Sequence, residues 1–85
     1  MTLPALSENR AGYRRTKERD GGTGQAFMSR YAGGSVWEYF AEGANALGSP
    51  RRDRYDTREI VRERLEALDP TLQALVRRLH QQSQL

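Results

Sequence analysis

Three side chains in the stretch RYAGGSVWEYFAEGANAL, residues 30–47, could do chemistry: Tyr31, Glu38 and Glu42. Glu38 and Glu42 are spaced i, i+4, so a helix would stack them one turn apart on the same side. Such a pair can share a cation, or hold a hydrogen-bonded partner between them. Tyr31 lies before the glycine pair Gly33-Gly34, where its hydroxyl can act as a donor from outside the helix. Each residue also has a purely structural use. Ser35 followed three positions later by Glu38 forms a capping box, an acid near a helix N-terminus is favourable in itself, and a lone tyrosine commonly packs with its hydroxyl at the surface.

These residues need a helix, and the sequence supplies it. Ser35 is a good N-cap. Trp37, Phe40, Ala41, Ala44 and Leu47 recur at helical spacing and form the expected inward stripe. Gly48 ends the helix and Pro50 follows, so the spacing predicts a helix over about 35–48. Further along, Asp56 with Glu59 reads as a second cap, starting a helix over about 57–68. Ile60, Val61, Leu65 and Leu68 point inward in it, and Arg62 and Glu66 pair at i, i+4. Asp69 caps a third helix over about 70–80, in which Pro70 fits the first turn and Leu72, Leu75, Val76 and Leu79 form the stripe. The two C-terminal helices are expected to form a hairpin against the first. Use of the last stripe to dock a partner, as in an interaction module, is the alternative to core.

The N-terminal third offers no apolar periodicity. Residues 1–24 carry one aromatic, many charges and the breaker DGGTG, so they are expected to be poorly ordered or loosely helical, at most a short helix from Ser7 as N-cap to Arg19. The expectation is an all-α chain: three short helices within residues 25–85, behind a loose leader.

Composition sets the outer bounds. The chain has 85 residues, 36% hydrophobic and 29% charged, which allows one small domain of modest stability. It contains no cysteine, which excludes disulfides and thiolate metal sites. No apolar run approaches a membrane span. The first residues, MTLPALSENR, do not read as a signal peptide. The net charge is +3, from 14 basic and 11 acidic residues, and all the basic ones but Lys17 are arginine. Two arginine-rich clusters, at residues 10–19 and 51–54, would give phosphate contacts. Interleaved acids dilute them and no base-reading helix face accompanies them, so nucleic acid fits this chain poorly.

The order of the pieces resembles a known family. Glu38-Tyr39-Phe40-Ala41-Glu42, with Tyr31 seven residues before Glu38, resembles the C-terminal half of the catalytic domain of zinc metallopeptidases of the anthrax lethal-factor type, within the gluzincin group. The segment YDTREIVRERLEALDPTLQALVRRL is similar to that family's tail, and the resemblance spans residues 26–79. It implies that Glu38 is the third zinc ligand, that Glu42 orients a histidine ligand, and that Tyr31 stabilises the oxyanion during peptide hydrolysis. It also implies that Trp37, Phe40 and Ala44 pack the helix on the rest of the enzyme, and it is compatible with export. The chain departs from the family in lacking the His-Glu-x-x-His helix, which carries two ligands and the general base. Its single histidine, His80, is expected at a fraying helix end. The expected activity of this chain alone is therefore none, with zinc and a peptide substrate belonging to the complete enzyme.

Overall fold

The computed structural model describes residues 2–29 and 32–83. Its four α-helices are α1 (Leu3–Asp20), α2 (Val36–Leu47), α3 (Arg62–Leu68) and α4 (Pro70–Ser83), with a single 3-10 turn, Ala32–Gly34, ahead of α2. No strand occurs among the described residues, so the fold is all-α. The Cα trace measures 39 × 35 × 17 Å. Helices pack about 8–10 Å apart, so the short dimension accommodates two helix layers.

The N-terminal third is not loose. It forms α1, of 18 residues, with Thr2 rather than Ser7 as N-cap: the Ala5 N–H donates to Thr2 Oγ1 at 3.3 Å. Gly21 ends the helix at φ 58°, a left-handed conformation that glycine adopts without a Cβ clash. The reason is chemical. The buried face of α1 is Ala5, Asn9, Gly12, Thr16 and Asp20, which is helically spaced but almost free of apolar side chains. It docks by hydrogen bonds instead. Asn9 Nδ2 donates to the Val36 carbonyl at 3.3 Å, Tyr13 Oη to the Gly33 carbonyl at 2.9 Å, and Thr16 Oγ1 to Asp69 Oδ2 at 3.2 Å. The breaker has a structural purpose too. Asp20 folds it back by accepting from the Gly24 and Ala26 N–H groups, each at 2.8 Å, and these bonds lower the Asp20 pKa.

Helix α2 starts and stops where its caps place it. The Glu38 N–H donates to Ser35 Oγ at 3.1 Å, and Gly48 closes the end. Its inward face differs from the expected stripe. Tyr39, Gly43 and Ala46 are buried, whereas Trp37 is 60% exposed and Ala41 and Ala44 face solvent. Phe40 and Leu47 alone keep their expected inward role, at the edge of the core. At about 100° per residue the helix is turned by roughly a third of a turn from the expected stripe. Packing of the Leu72 side chain of α4 onto Gly43 accompanies the turn. A Cβ on Gly43 would lie 2.7 Å from Leu72 Cδ2, so a small residue is required at the crossing.

The helical hairpin forms, but α3 is shorter than the expected 57–68. It covers Arg62–Leu68, with Val61 at its N-cap position and no side-chain cap. Arg62 does not pair with Glu66: its Nε donates to the Leu47 carbonyl at 2.8 Å, and Glu66 instead meets Gln73 at 2.8 Å and Arg77 at 3.6 Å. Val61 and Leu65 are fully buried. Helix α4 runs on to Ser83, beyond the expected 70–80, and its stripe of Leu72, Leu75 and Val76 is buried within the chain rather than offered to a partner.

Asp56 caps no helix. Its carboxylate organises the connection between α2 and α3, accepting from the Arg58 guanidinium at 2.7 Å and from the Arg52 N–H at 2.9 Å. The Arg58 hydrogen bonds, followed by the Arg52 N–H, hold the carboxyl far below the usual carboxylate range, against a smaller opposing effect of desolvation. A carboxyl depressed on folding stabilises the fold above its unfolded pKa, about 3.9, and that contribution is lost as pH falls below it. We expect urea midpoints to decline below about pH 4, and an Asp56→Asn variant to show a shallower decline. An unchanged acid slope would contradict this role.

Candidate functional site

Helix α2 positions both carboxylates of the expected site. Glu38 lies in its first turn and is exposed. Its carboxylate makes no hydrogen bond or ion pair among the described residues, so only the backbone half of the capping box is formed there. Glu42 lies one turn further on, half-buried, and both of its carboxylate oxygens lie 2.7 Å from the Ser29 hydroxyl. A single hydroxyl proton donates to one of them at a time. The structure thus places Glu38 and Glu42 along the same flank of α2, beside the buried Tyr39–Gly43–Ala46 face. Tyr31 lies outside the described residues.

No group of three or more His, Cys, Asp or Glu side chains that could hold a metal ion occurs among the described residues. His80 sits on α4, in the last turns of the chain. The donors among the described residues therefore do not make a complete zinc site, which needs three protein ligands. Glu38 could be one ligand of a site whose other ligands come from elsewhere.

One arrangement was not visible in the sequence. Tyr39, inside the acidic-aromatic motif, turns away from the two glutamates and into the core. Its hydroxyl donates to Asp69 Oδ2 at 2.6 Å. Asp69 also accepts from Thr16 and, through Oδ1, from the Leu72 N–H at 3.0 Å. One carboxylate thereby joins α1, α2 and the start of α4. The rings of Tyr13, Tyr39 and Phe27 meet one another with centroids 5.7–6.1 Å apart. The cap on Asp69 was legible, whereas its tyrosine partner had no local signal.

Burial, and then the hydrogen bond to Asp69, push the Tyr39 phenol well above its ordinary value. A tyrosine whose pKa is raised by folding stabilises the fold fully below the unfolded pKa of about 10, and this is lost as pH rises above it. We expect unfolding midpoints to fall above about pH 10, and less steeply in Tyr39→Phe. Equal slopes in the two proteins would contradict the assignment.

No helix among the described residues is long and apolar enough to cross a membrane. No protein-family model, curated protein or solved structure matches this chain.

Proposed function

We propose that this chain is the C-terminal part, or a degenerate relative, of a zinc-dependent metallopeptidase catalytic domain of the lethal-factor type. In the complete enzyme Glu38 supplies the third zinc ligand, Glu42 orients a histidine ligand, and Tyr31 stabilises the oxyanion of peptide hydrolysis. The observation that carries the reading is the display of Glu38. Its carboxylate stands exposed on the first turn of α2, with no partner among the described residues, and the Ser29-anchored Glu42 stands one turn away. The reciprocal bond of a capping box, from this carboxylate back to the Ser35 N–H, is not formed among the described residues, so the carboxylate stands open to a ligand. The spacing of Tyr31, Glu38 and Glu42 and the Asp69-Pro70 tail support the same reading.

The missing histidines and general base must come from residues outside this chain, so no hydrolytic step belongs to it alone. The pure 85-residue protein is expected to show no chelator-sensitive peptidase activity. The test is a native mass spectrum of the protein from its own source, recording mass and bound zinc together. A species heavier than 9.7 kDa holding one zinc supports the reading. In that species Glu38→Gln should abolish zinc retention, and Glu42→Gln should weaken it by about 10–100-fold, the usual effect of losing a group that orients a ligand. Zinc retention indifferent to Glu38→Gln would overturn the ligand assignment. A zinc-free species of 9.7 kDa would remove any catalytic role and leave Glu38 as a helix-terminus acid.

A further inference from the structure

The outer face of α2 carries one large apolar side chain followed by a run of small residues. Trp37 is the only tryptophan of the chain, and it is 60% exposed. Ala41, Ala44 and Gly48 are exposed as well. At about 100° per residue these three lie within about 40° of Trp37 around the axis, opposite the buried Tyr39, Gly43 and Ala46. A large aromatic displayed in line with other apolar groups marks an interaction surface, and tryptophan is among the residues that most often anchor one.

The small residues leave a hollow at the other end of the same helix. Its volume is about 380 Å³, and Ala44, Leu47 and Gly48 line it together with Arg62, Arg77 and His80. An indole suits it, because the alanine, leucine and glycine offer an apolar floor and the cationic groups can stack on an aromatic face. Trp37 does not reach the hollow of its own molecule. It precedes Ala44 by seven residues and Gly48 by eleven, a rise of about 10–17 Å, and helical side chains lean toward the N-terminus, here away from the hollow.

A second copy of the chain satisfies both ends at once. When two α2 helices lie antiparallel about a two-fold axis at Ala41, residue 37 of one stands opposite residue 45 of the other. Each tryptophan then covers Ala44 and Gly48 of the other copy, and Ala41 is small enough for the helices to meet at the axis. Knob and hollow share one straight helix, so the contact is reciprocal, as an isologous dimer requires. The same arrangement brings Glu38 of each copy beside Asn45 of the other. These two lie on one flank of the helix, about 100° and 80° round from Trp37. Neither side chain has a hydrogen-bond partner among the described residues, and a carboxylate accepts what an amide donates.

We propose that the 85-residue chain pairs with a second copy of itself through this face, as an antiparallel two-fold dimer of α2 helices. One face of a 12-residue helix makes a small interface, of the class below about 1,200 Å² that exchanges rather than locks. The pairing is independent of the metallopeptidase reading. That reading gives this face to the rest of a larger enzyme, whereas the pairing is a property of the 85-residue chain by itself.

The test is sedimentation equilibrium of the 85-residue protein, with Trp37 emission followed over the same concentrations. The expected result is a monomer–dimer equilibrium with a dissociation constant on the order of 100 µM, and emission that moves to shorter wavelength as the dimer fills. Ala44→Glu and Trp37→Ala should each weaken the dimer at least about tenfold, with an unchanged circular dichroism spectrum because both positions are exposed in the single chain. The chain has no cysteine, so Ala41→Cys introduces a lone thiol at the axis, which should oxidise to a covalent dimer. Arg52→Cys, on the connection between α2 and α3, should cross-link much more slowly. A protein that stays monomeric up to about 1 mM, with unshifted emission, would overturn the proposal and leave the face to the rest of a larger enzyme. A dimer indifferent to Ala44→Glu, or equal cross-linking of the two thiols, would overturn it by placing the contact on another surface. Neither outcome touches zinc retention, so the dimer and the assignment of Glu38 as a ligand stand or fall separately.

Discussion

Replacing Asp69 with alanine is expected to cost about 3–5 kcal/mol. The Asp69 side chain accepts from Tyr39 Oη, Thr16 Oγ1 and the Leu72 N–H, and the residue is 6% exposed. Alanine leaves a phenol, a hydroxyl and a helix-start N–H without their acceptor. Each stranded buried donor costs about 1–3 kcal/mol, and a lost N-cap about 1. A chain of 85 residues has a total stability of about 4–13 kcal/mol, so the loss removes from about a quarter to all of it. Its melting temperature should fall by at least about 12 °C, at about 4–8 °C per kcal/mol. Tyr39→Phe, which removes one donor and leaves the cap, should lose far less. A double-mutant cycle with Thr16→Val should give coupling, because the two hydroxyls share Oδ2. A fall of only a few degrees in Asp69→Ala, or additive losses in the cycle, would show that the carboxylate does not hold the three helices together.

Leu65→Ala should destabilise by about 2–5 kcal/mol, the usual range for emptying a buried leucine site. Leu65 is 0% exposed and belongs to the cluster with Phe27, Met28, Tyr39 and Leu72. It is the buried residue of α3, a helix of seven residues with no side-chain cap. A helix that short does not form in water on its own, so its order rests on this side chain. The variant should lose the hydrogen-exchange protection of α3 together with global stability, while the α1 amides keep theirs relative to the new global value. Leu68→Ala is the comparison: Leu68 is only partly buried and should cost clearly less. Equal losses from the two would mean that α3 does not depend on one anchored residue.

Both predictions depend on contacts that differ in how far they could be read from sequence. The start of α4 was legible because an Asp-Pro pair before an apolar stripe is a local signal, resolved within one turn. The Leu65 position was legible because the apolar spacing around it repeats. The Tyr39 hydrogen bond was not, since its partner lies 30 residues on and neither residue announces the other. Glu38 and Glu42 were legible as a pair on one helix flank, but the exposure of one and the serine anchor of the other were not. Asp56 misled because an acid three residues before a glutamate looks like a cap, and only the folded loop shows it bound to Arg58 and Arg52.

The sequence by itself determined that the chain is helical, and it determined where α2 begins and ends and where α4 begins. Caps and breakers act through backbone groups within about four residues, so local chemistry suffices. Tertiary structure decided the rest. It ordered α1, whose buried face is small and polar and gains its bonds from partners 27 and 53 residues away. It also turned α2 to bury Tyr39 and Gly43 instead of Trp37, because the Leu72 side chain of α4 packs against Gly43, where a Cβ would collide with it. Apolar periodicity reports which side chains avoid water. It does not report which small residues make room for a side chain from another helix, or which polar residues find a partner across the fold.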